Sequence, residues 1–193
     1  PGLHDHHIHL AGLAARRASV VCGPPEVTTP DELAECLRRP GSGWLRGVLY
    51  HESVVGLPDA RELDAILADR PLRIQHRGGR MWLLNSLALD ELLARAAPPP
   101  GLEREGGRFT GRLFDEDRWL GEALGSTPPC FAQVSASLAA CGVTGLTDMS
   151  PRNDAAIAAH FARQRQSGAL TQEVMLAGSL ALAGIAPDGW HLG

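Results

Sequence analysis

The sequence predicts an α/β fold with parallel strands, and three observations lead there. Apolar runs of strand length alternate with stretches of helical periodicity, in β-α-β order, over residues 44–75 and again over 131–176. A hairpin signal, Gly106-Gly107 between Leu102-Glu103-Arg104 and Arg108-Phe109-Thr110, breaks that order. With 193 residues and 44% hydrophobic content the chain buries one core, yet it falls short of the roughly 250 residues of a closed eight-stranded barrel.

Each element has its own local warrant. The opening run to Leu10 is apolar and strand-like; alternation places Asp5, His7 and His9 on one face and His6, Ile8 and Leu10 on the other. A Gly/Ala-rich stretch follows. Thr29 caps a helix, Pro30 fits its first turn and Glu32 completes a capping box, with Leu33, Cys36 and Leu37 as the apolar stripe and Pro40-Gly41 as the stop. Strands are expected over 44–50 and 72–75, joined by a helix over about 60–69 with Leu63, Ile66 and Leu67 at helical spacing, an order that pairs the strands in parallel. Asn85 caps the next helix, with Leu89, Leu92, Leu93 and Ala96 on one face and Pro98-Pro99-Pro100 ending it. Phe131, Val134, Leu138 and Cys141 form a further helical stripe closed by Gly142, and a strand follows over 143–149. Ser150-Pro151 restarts a helix with Ile157 and Phe161 inward; Gly168 ends it, and 171–176 is the next strand.

Four of the eight histidines fall in the first ten residues, as His4, His6, His7 and His9. Two imidazoles two residues apart on a strand share a face and can grip one cation, which makes His7 and His9 the candidate metal ligands. Asp5 is placed to orient one of them from behind. His51 and His76, each just beyond an expected strand, and Asp148 at the end of another are weaker ligand candidates. His160 lies within a helix and His191 near the end of the sequence, and both read as structural or solvated.

The stretch Pro1-Gly2-Leu3-His4-Asp5-His6-His7-Ile8-His9-Leu10 resembles the first-strand signature of the amidohydrolase superfamily, with His7 and His9 as its HxH pair. Three later stretches resemble one branch of it, the amidohydrolase family 3 proteins of the YtcJ type. They are Arg70-Pro71-Leu72-Arg73-Ile74 running on to Leu84-Asn85-Ser86-Leu87-Ala88-Leu89, then Gly106-Gly107-Arg108-Phe109-Thr110-Gly111-Arg112-Leu113, then Cys141-Gly142-Val143-Thr144-Gly145-Leu146-Thr147-Asp148. The resemblance implies an incomplete TIM-like (β/α) barrel of the metal-dependent hydrolase type, spanning residues 1–193, with the family's inserted α+β region at approximately residues 11–127. It implies a divalent metal, zinc above all, as one or two ions. A metal there polarises a carbonyl and lowers the pKa of bound water to about 7, so the implied reaction is hydrolysis of an amide or other non-peptide C–N bond of a small molecule. Relatives complete the site with a lysine or acidic residue, two further histidines and an aspartate on later strands. The catalytic base and the remaining ligands are therefore expected outside this chain, which reads as a segment of a longer protein.

One departure from the family pattern bears on substrate. Arg77-Gly78-Gly79-Arg80 stands where many members carry Asp-Gly-His, so Arg80 takes the histidine's place and, with His76, becomes a candidate substrate contact. Asp148 is kept as a candidate behind the ligands.

Composition excludes several classes. The net charge is −4, and the 18 basic residues, all arginine, are scattered, so nothing marks a nucleic-acid partner and no lysine-dependent chemistry is available. The uncharged stretch over 174–186 is shorter than the ~18 residues of a membrane span, and no membrane partner is expected. Cys22, Cys36, Cys130 and Cys141 lack metal-binding spacing and read as buried free thiols of a cytoplasmic protein. An incomplete barrel leaves strand edges open, which predicts completion by a partner or a homo-oligomer. The rival reading is a truncated or degenerate homologue, a non-catalytic subunit with no turnover.

Overall fold

The computed structural model describes residues 2–125, 127–151, 153–178 and 182. In chain order the elements are β1 (Leu3–Ile8), α1 (Leu10–Arg17), β2 (Val20–Val21), α2 (Pro30–Leu37), β3 (Leu45–Tyr50), α3 (Ala60–Asp64), β4 (Leu72–His76) and β5 (Met81–Leu84). There follow α4 (Ser86–Leu93), β6 (Leu102–Glu105), β7 (Arg108–Phe114), α5 (Asp117–Leu124), α6 (Ala132–Ala140), β8 (Val143–Asp148), α7 (Ala155–Gln166) and β9 (Glu173–Leu176). The fold is mixed α/β. It divides into two compact units, one made of Pro1–Arg17 with Thr127–Gly193, the other of Ala18–Ser126.

In the first unit β1, β8 and β9 form a three-stranded parallel sheet in the order β1-β8-β9. Ile8 pairs with Asp148 and Asp148 with Leu176, so the C-terminal ends of all three strands lie level. Ile8, Leu10, Phe131, Val134, Leu146, Phe161, Val174 and Leu176 make its core, because one face of the sheet meets the apolar stripes of α1, α6 and α7. Among the described residues β1 and β9 each keep a free edge, so this sheet does not close into a barrel.

The register of β1 departs from strict alternation. Asp5 pairs with Leu146 and Ile8 with Asp148, so β1 uses three steps where β8 uses two. The extra residue interrupts the two-residue period, and the expected common face of Asp5 with His7 and His9 does not hold across it.

The second unit carries a six-stranded sheet in the order β2-β3-β4-β5-β7-β6. β2, β3 and β4 are parallel, as the βαβ order requires; β5, β7 and β6 continue as antiparallel strands. The foreseen hairpin joins β6 to β7. Glu105 pairs with Arg108, and Gly106 and Gly107 both take positive φ, 57° and 83°, the conformation that a two-residue turn between right-twisted strands needs. Thr29 caps α2 with the expected Glu32 capping box, and Asp59 with Glu62 builds a second one on α3. Asn85 caps α4 and also bridges elements: buried, it accepts the N–H groups of Ala88 and Leu72 and donates to the carbonyls of Leu67 and Arg70.

Two expected elements are corrected. The helix over 60–69 ends at Asp64, because the chain turns so that the Leu67 and Arg70 carbonyls meet Asn85; Leu63 and Leu67 are still buried, with Ile66 packed against them. The last helix starts at Ala155, capped by Asp154, rather than at Ser150-Pro151, because the Ser150 N–H is taken by Asp148.

Gly111 in β7 has φ 88°, and a Cβ there would lie 2.2 Å from the Leu84 carbonyl oxygen. Gly111→Ala is expected to cost more than about 2 kcal/mol, through strained backbone and steric conflict with β5 together. A denaturation midpoint unchanged from wild type would contradict this.

Candidate metal centre

β1 delivers its histidines to the edge of the parallel sheet where the strands end, the position at which α/β folds gather polar side chains. His7 and His9 are both exposed, and their rings meet edge to face with centroids 5.3 Å apart. His9 Nδ1 lies 3.4 Å from Ser150 Oγ, in the turn after β8. Two neutral imidazoles side by side suit a divalent transition metal, so the donor chemistry fits as part of a ligand set. Catalytic zinc takes three protein donors and leaves a position open. Among the described residues no group of three His, Cys, Asp or Glu is arranged to hold an ion.

The remaining histidines of β1 make a second pair, His4 and His6, with ring centroids 4.5 Å apart. His4 Nε2 hydrogen-bonds Thr147 Oγ1 at 2.9 Å, across the strand pair. Gly145 permits this: a Cβ there would sit 2.5 Å from His4 Nδ1. The glycine in Val143-Thr144-Gly145 thus makes room for an imidazole.

Asp5 and Asp148 act on the main chain. Asp5 Oδ1 accepts the His7 backbone N–H at 3.0 Å, fixing the strand where the extra residue enters. Asp148, 1% exposed, ends β8 and holds three donors: Leu10 N–H on Oδ2 at 2.7 Å, Ser150 N–H and Asn153 Nδ2 on Oδ1 at 2.9 and 3.0 Å. Asn153 Nδ2 also reaches the Ala177 carbonyl, just beyond β9, at 2.8 Å. One carboxylate therefore ties the start of α1 to the ends of β8 and β9. His7 and His9 lie on the segment it anchors. Asn153 and Ser150 were not legible as site residues; the Asp-x-Ser spacing, which lets a carboxylate accept an N–H two residues on, was the available signal.

The other sequence candidates belong to the second unit. His51 follows β3 and His76 ends β4, with their rings stacked at 6.1 Å. His76 Nε2 donates to Glu52 at 2.8 Å while its Nδ1 accepts the Gly78 N–H at 3.0 Å, so both ring nitrogens are engaged. That hydrogen bond holds the Glu52 carboxyl below its usual range. A depressed carboxylate stabilises the fold above its unfolded-state pKa and loses that contribution as pH falls through the lower folded value. With His76→Ala, the Glu52 pKa should move up toward the ordinary carboxylate value in a carbon-detected NMR titration; an unmoved value would contradict the assignment. Arg80 lays its guanidinium fork on Asp115, both contacts 2.7 Å, and the arginine holds the Asp115 carboxyl low. Both groups are exposed, so the pair contributes little stability.

His160 is buried and structural, as expected, with Nε2 3.0 Å from the Pro129 carbonyl oxygen and its ring against Phe131. His191 lies outside the described residues. The cysteines are all free, but Cys22 is buried, Cys36 half-buried and Cys130 and Cys141 exposed, so uniform burial is corrected. Cys141 is the C-terminal cap residue of α6, just past the helical stripe. No described helix is long and apolar enough to cross a membrane.

No protein-family model matches the chain. The N-substituted formamide deformylase of Arthrobacter pascens is 31% identical over 128 residues, which cover 60% of this chain and 24% of that protein. Among solved structures, an uncharacterized metal-dependent hydrolase from Pyrococcus horikoshii OT3 superposes with a TM-score of 0.72 at 17% identity, covering 98% of this chain and 41% of that one. A second, from Pyrococcus furiosus, gives 0.69 at 18% identity, covering 98% and 42%. The fold is that of metal-dependent hydrolase structures. The chain spans about a quarter of the curated relative's length.

Proposed function

We propose that this chain is the histidine-bearing part of a metal-dependent hydrolase of the amidohydrolase type, in which His7 and His9 supply two donors to a divalent ion, zinc by preference. The observation that carries the reading is the HxH pair, ring against ring at the level C-terminal edge of a parallel sheet. The likeness to a formamide deformylase and to metal-dependent hydrolase structures supports it. β1, β8 and β9 are then three strands of a (β/α) barrel whose other strands pair with the free edges, and Ala18–Ser126 is an insertion between the first two.

A divalent ion in such a site supplies Lewis acidity to the substrate carbonyl and makes water a stronger acid. What these residues contribute is orientation. Asp5 and the extra residue in β1 set the backbone from which His7 and His9 project. Asp148 and Asn153 hold that edge rigid, and Ser150 lies within reach of His9. The substrate class is a small amide, with an N-substituted formamide as the first choice: water adds to the formyl carbon, the C–N bond breaks, and formate and an amine leave.

The test is formate release from an N-substituted formamide by the polypeptide that carries these residues. Activity that falls on chelation and returns with zinc supports the reading. Chelation that strips the metal and leaves hydrolysis unchanged overturns it. Bound zinc with no turnover across a panel of amides favours the non-catalytic homologue.

A further inference from the structure

Two arginines of the second unit stand side by side. Arg46 of β3 and Arg73 of β4 are partners in the parallel ladder, so their side chains leave the same face of the sheet. Like charges placed this way repel. Two indoles offset part of that repulsion: the Cζ atoms of Arg46 and Arg73 lie 5.5 and 5.6 Å from the centre of the Trp82 ring, and Arg73 also lies 5.9 Å from that of Trp44. Both guanidinium groups thus converge on one indole.

Their hydrogen bonds are unequal. Arg46 donates to two neutral acceptors, Ser19 Oγ at 3.0 Å and Gln75 Oε1 at 3.2 Å. Arg73, half-buried, has no acceptor among the described residues: its Nε is sealed from solvent without a partner, and its terminal nitrogens, which are not sealed, are equally unpaired. The flanking carboxylates are turned to other donors. Trp44 Nε1 donates to Glu91 at 2.9 Å, with Arg95 on the same carboxylate, and Trp82 Nε1 donates to Asp117 at 2.8 Å. The Asp117 charge acts on Arg46. Burial, then the Arg46 charge, brings the Arg73 guanidinium down to about 10, which leaves it cationic at neutral pH.

A buried cation with unused donors calls for a counter-charge that can accept several of them at once. The planar fork of arginine is matched by the oxygens of a carboxylate or a phosphate, which take up two parallel N–H groups. We propose that Arg46 and Arg73 form a binding site for a small oxyanion, a carboxylate or a phosphate, which the Arg73 fork grips while the Arg46 charge attracts it from alongside. The chain carries a net charge of −4, so its overall field does not gather anions, and binding must come from the local pair. The site belongs to the second unit and uses none of the histidines.

The probes are inorganic phosphate and acetate, each titrated at constant ionic strength into the whole 193-residue chain. Two signals report on the site: the fluorescence of the flanking tryptophans, and the Arg73 Nε–H resonance, which sealing from solvent protects from exchange. Both should saturate together at about millimolar anion. Saturation by one probe alone supports the site and identifies the group it takes. Arg73→Met, which keeps an apolar stem against the tryptophans, should weaken binding about tenfold or more, as should Arg46→Gln. Arg80→Gln, which removes an exposed arginine paired with Asp115, should bind as wild type does. No saturable change with either anion overturns the proposal, and so does an equal loss in Arg80→Gln, which would reduce the binding to net charge. If neither site variant folds, the wild-type resonance decides: an Arg73 Nε–H signal that stays put while the fluorescence saturates also overturns it.

Discussion

Replacing His7 and His9 together by alanine is expected to reduce bound divalent metal to background and to lower metal-dependent amide hydrolysis by about a thousandfold or more, the rate equivalent of the several kcal/mol a metal Lewis acid supplies. The expectation follows from exposure and geometry. Both rings stand at the sheet edge, in contact with each other, and both are exposed, so they contribute little to the apolar core beneath. The metal-free double variant should therefore melt where the metal-free wild type does. Metal content by inductively coupled plasma mass spectrometry and a melting curve in chelator separate the two quantities. Unchanged metal content would refute the ligand assignment, and a large loss of metal-free stability would recast the histidines as structural.

Asp148→Ala should act in the opposite way, on the fold first. The substitution leaves the buried Leu10 N–H and the Ser150 N–H short of an acceptor, while Asn153 Nδ2 keeps the main-chain carbonyls of residues 148 and 177. Orphaned buried donors cost ~1–3 kcal/mol each, and part of that is recovered by relaxation and water, so a loss of about 3–5 kcal/mol is expected. Asp148→Asn keeps a single acceptor oxygen in nearly the same volume and should lose roughly half as much. Because the lost bonds tie the start of α1 to β8, amide exchange should accelerate across residues 8–13 before it does in the second unit. Uniform acceleration over both units would show that Asp148 is not a local tie.

Much of this architecture is readable from neighbours in the chain. The capping box at Thr29 and Glu32, the Gly106-Gly107 turn and the Asn85 cap each depend on two to four consecutive residues, and each stands where the sequence puts it. What depends on distant partners was not readable. β5 is four buried residues, Met81-Trp82-Leu83-Leu84, covered on both faces and so without alternation, and nothing local separates it from the α4 cap that follows. α1 lies in a Gly/Ala-rich stretch with a weak apolar stripe, and its first N–H is held by Asp148, 138 positions away. The extra residue in β1 exists only relative to β8. That is why strand alternation placed Asp5 beside His7 and His9, while the structure has its carboxylate on the His7 main chain. The histidine pair was visible because its two members are neighbours.

The nested order of the two units has a consequence for how the protein is made. β1 leaves the ribosome before the other strands, and the Asp148 carboxylate that anchors its end lies 138 positions downstream of Leu10. At ~5–20 residues per second of synthesis, the histidine strand waits roughly 7–28 s for that anchor. Within the same interval every strand of the Ala18–Ser126 unit is already available to pair. The strands of the Ala18–Ser126 unit are thus all synthesised before the strand that pairs with β1, and the imidazoles of His4, His6, His7 and His9 precede that partner on the ribosome.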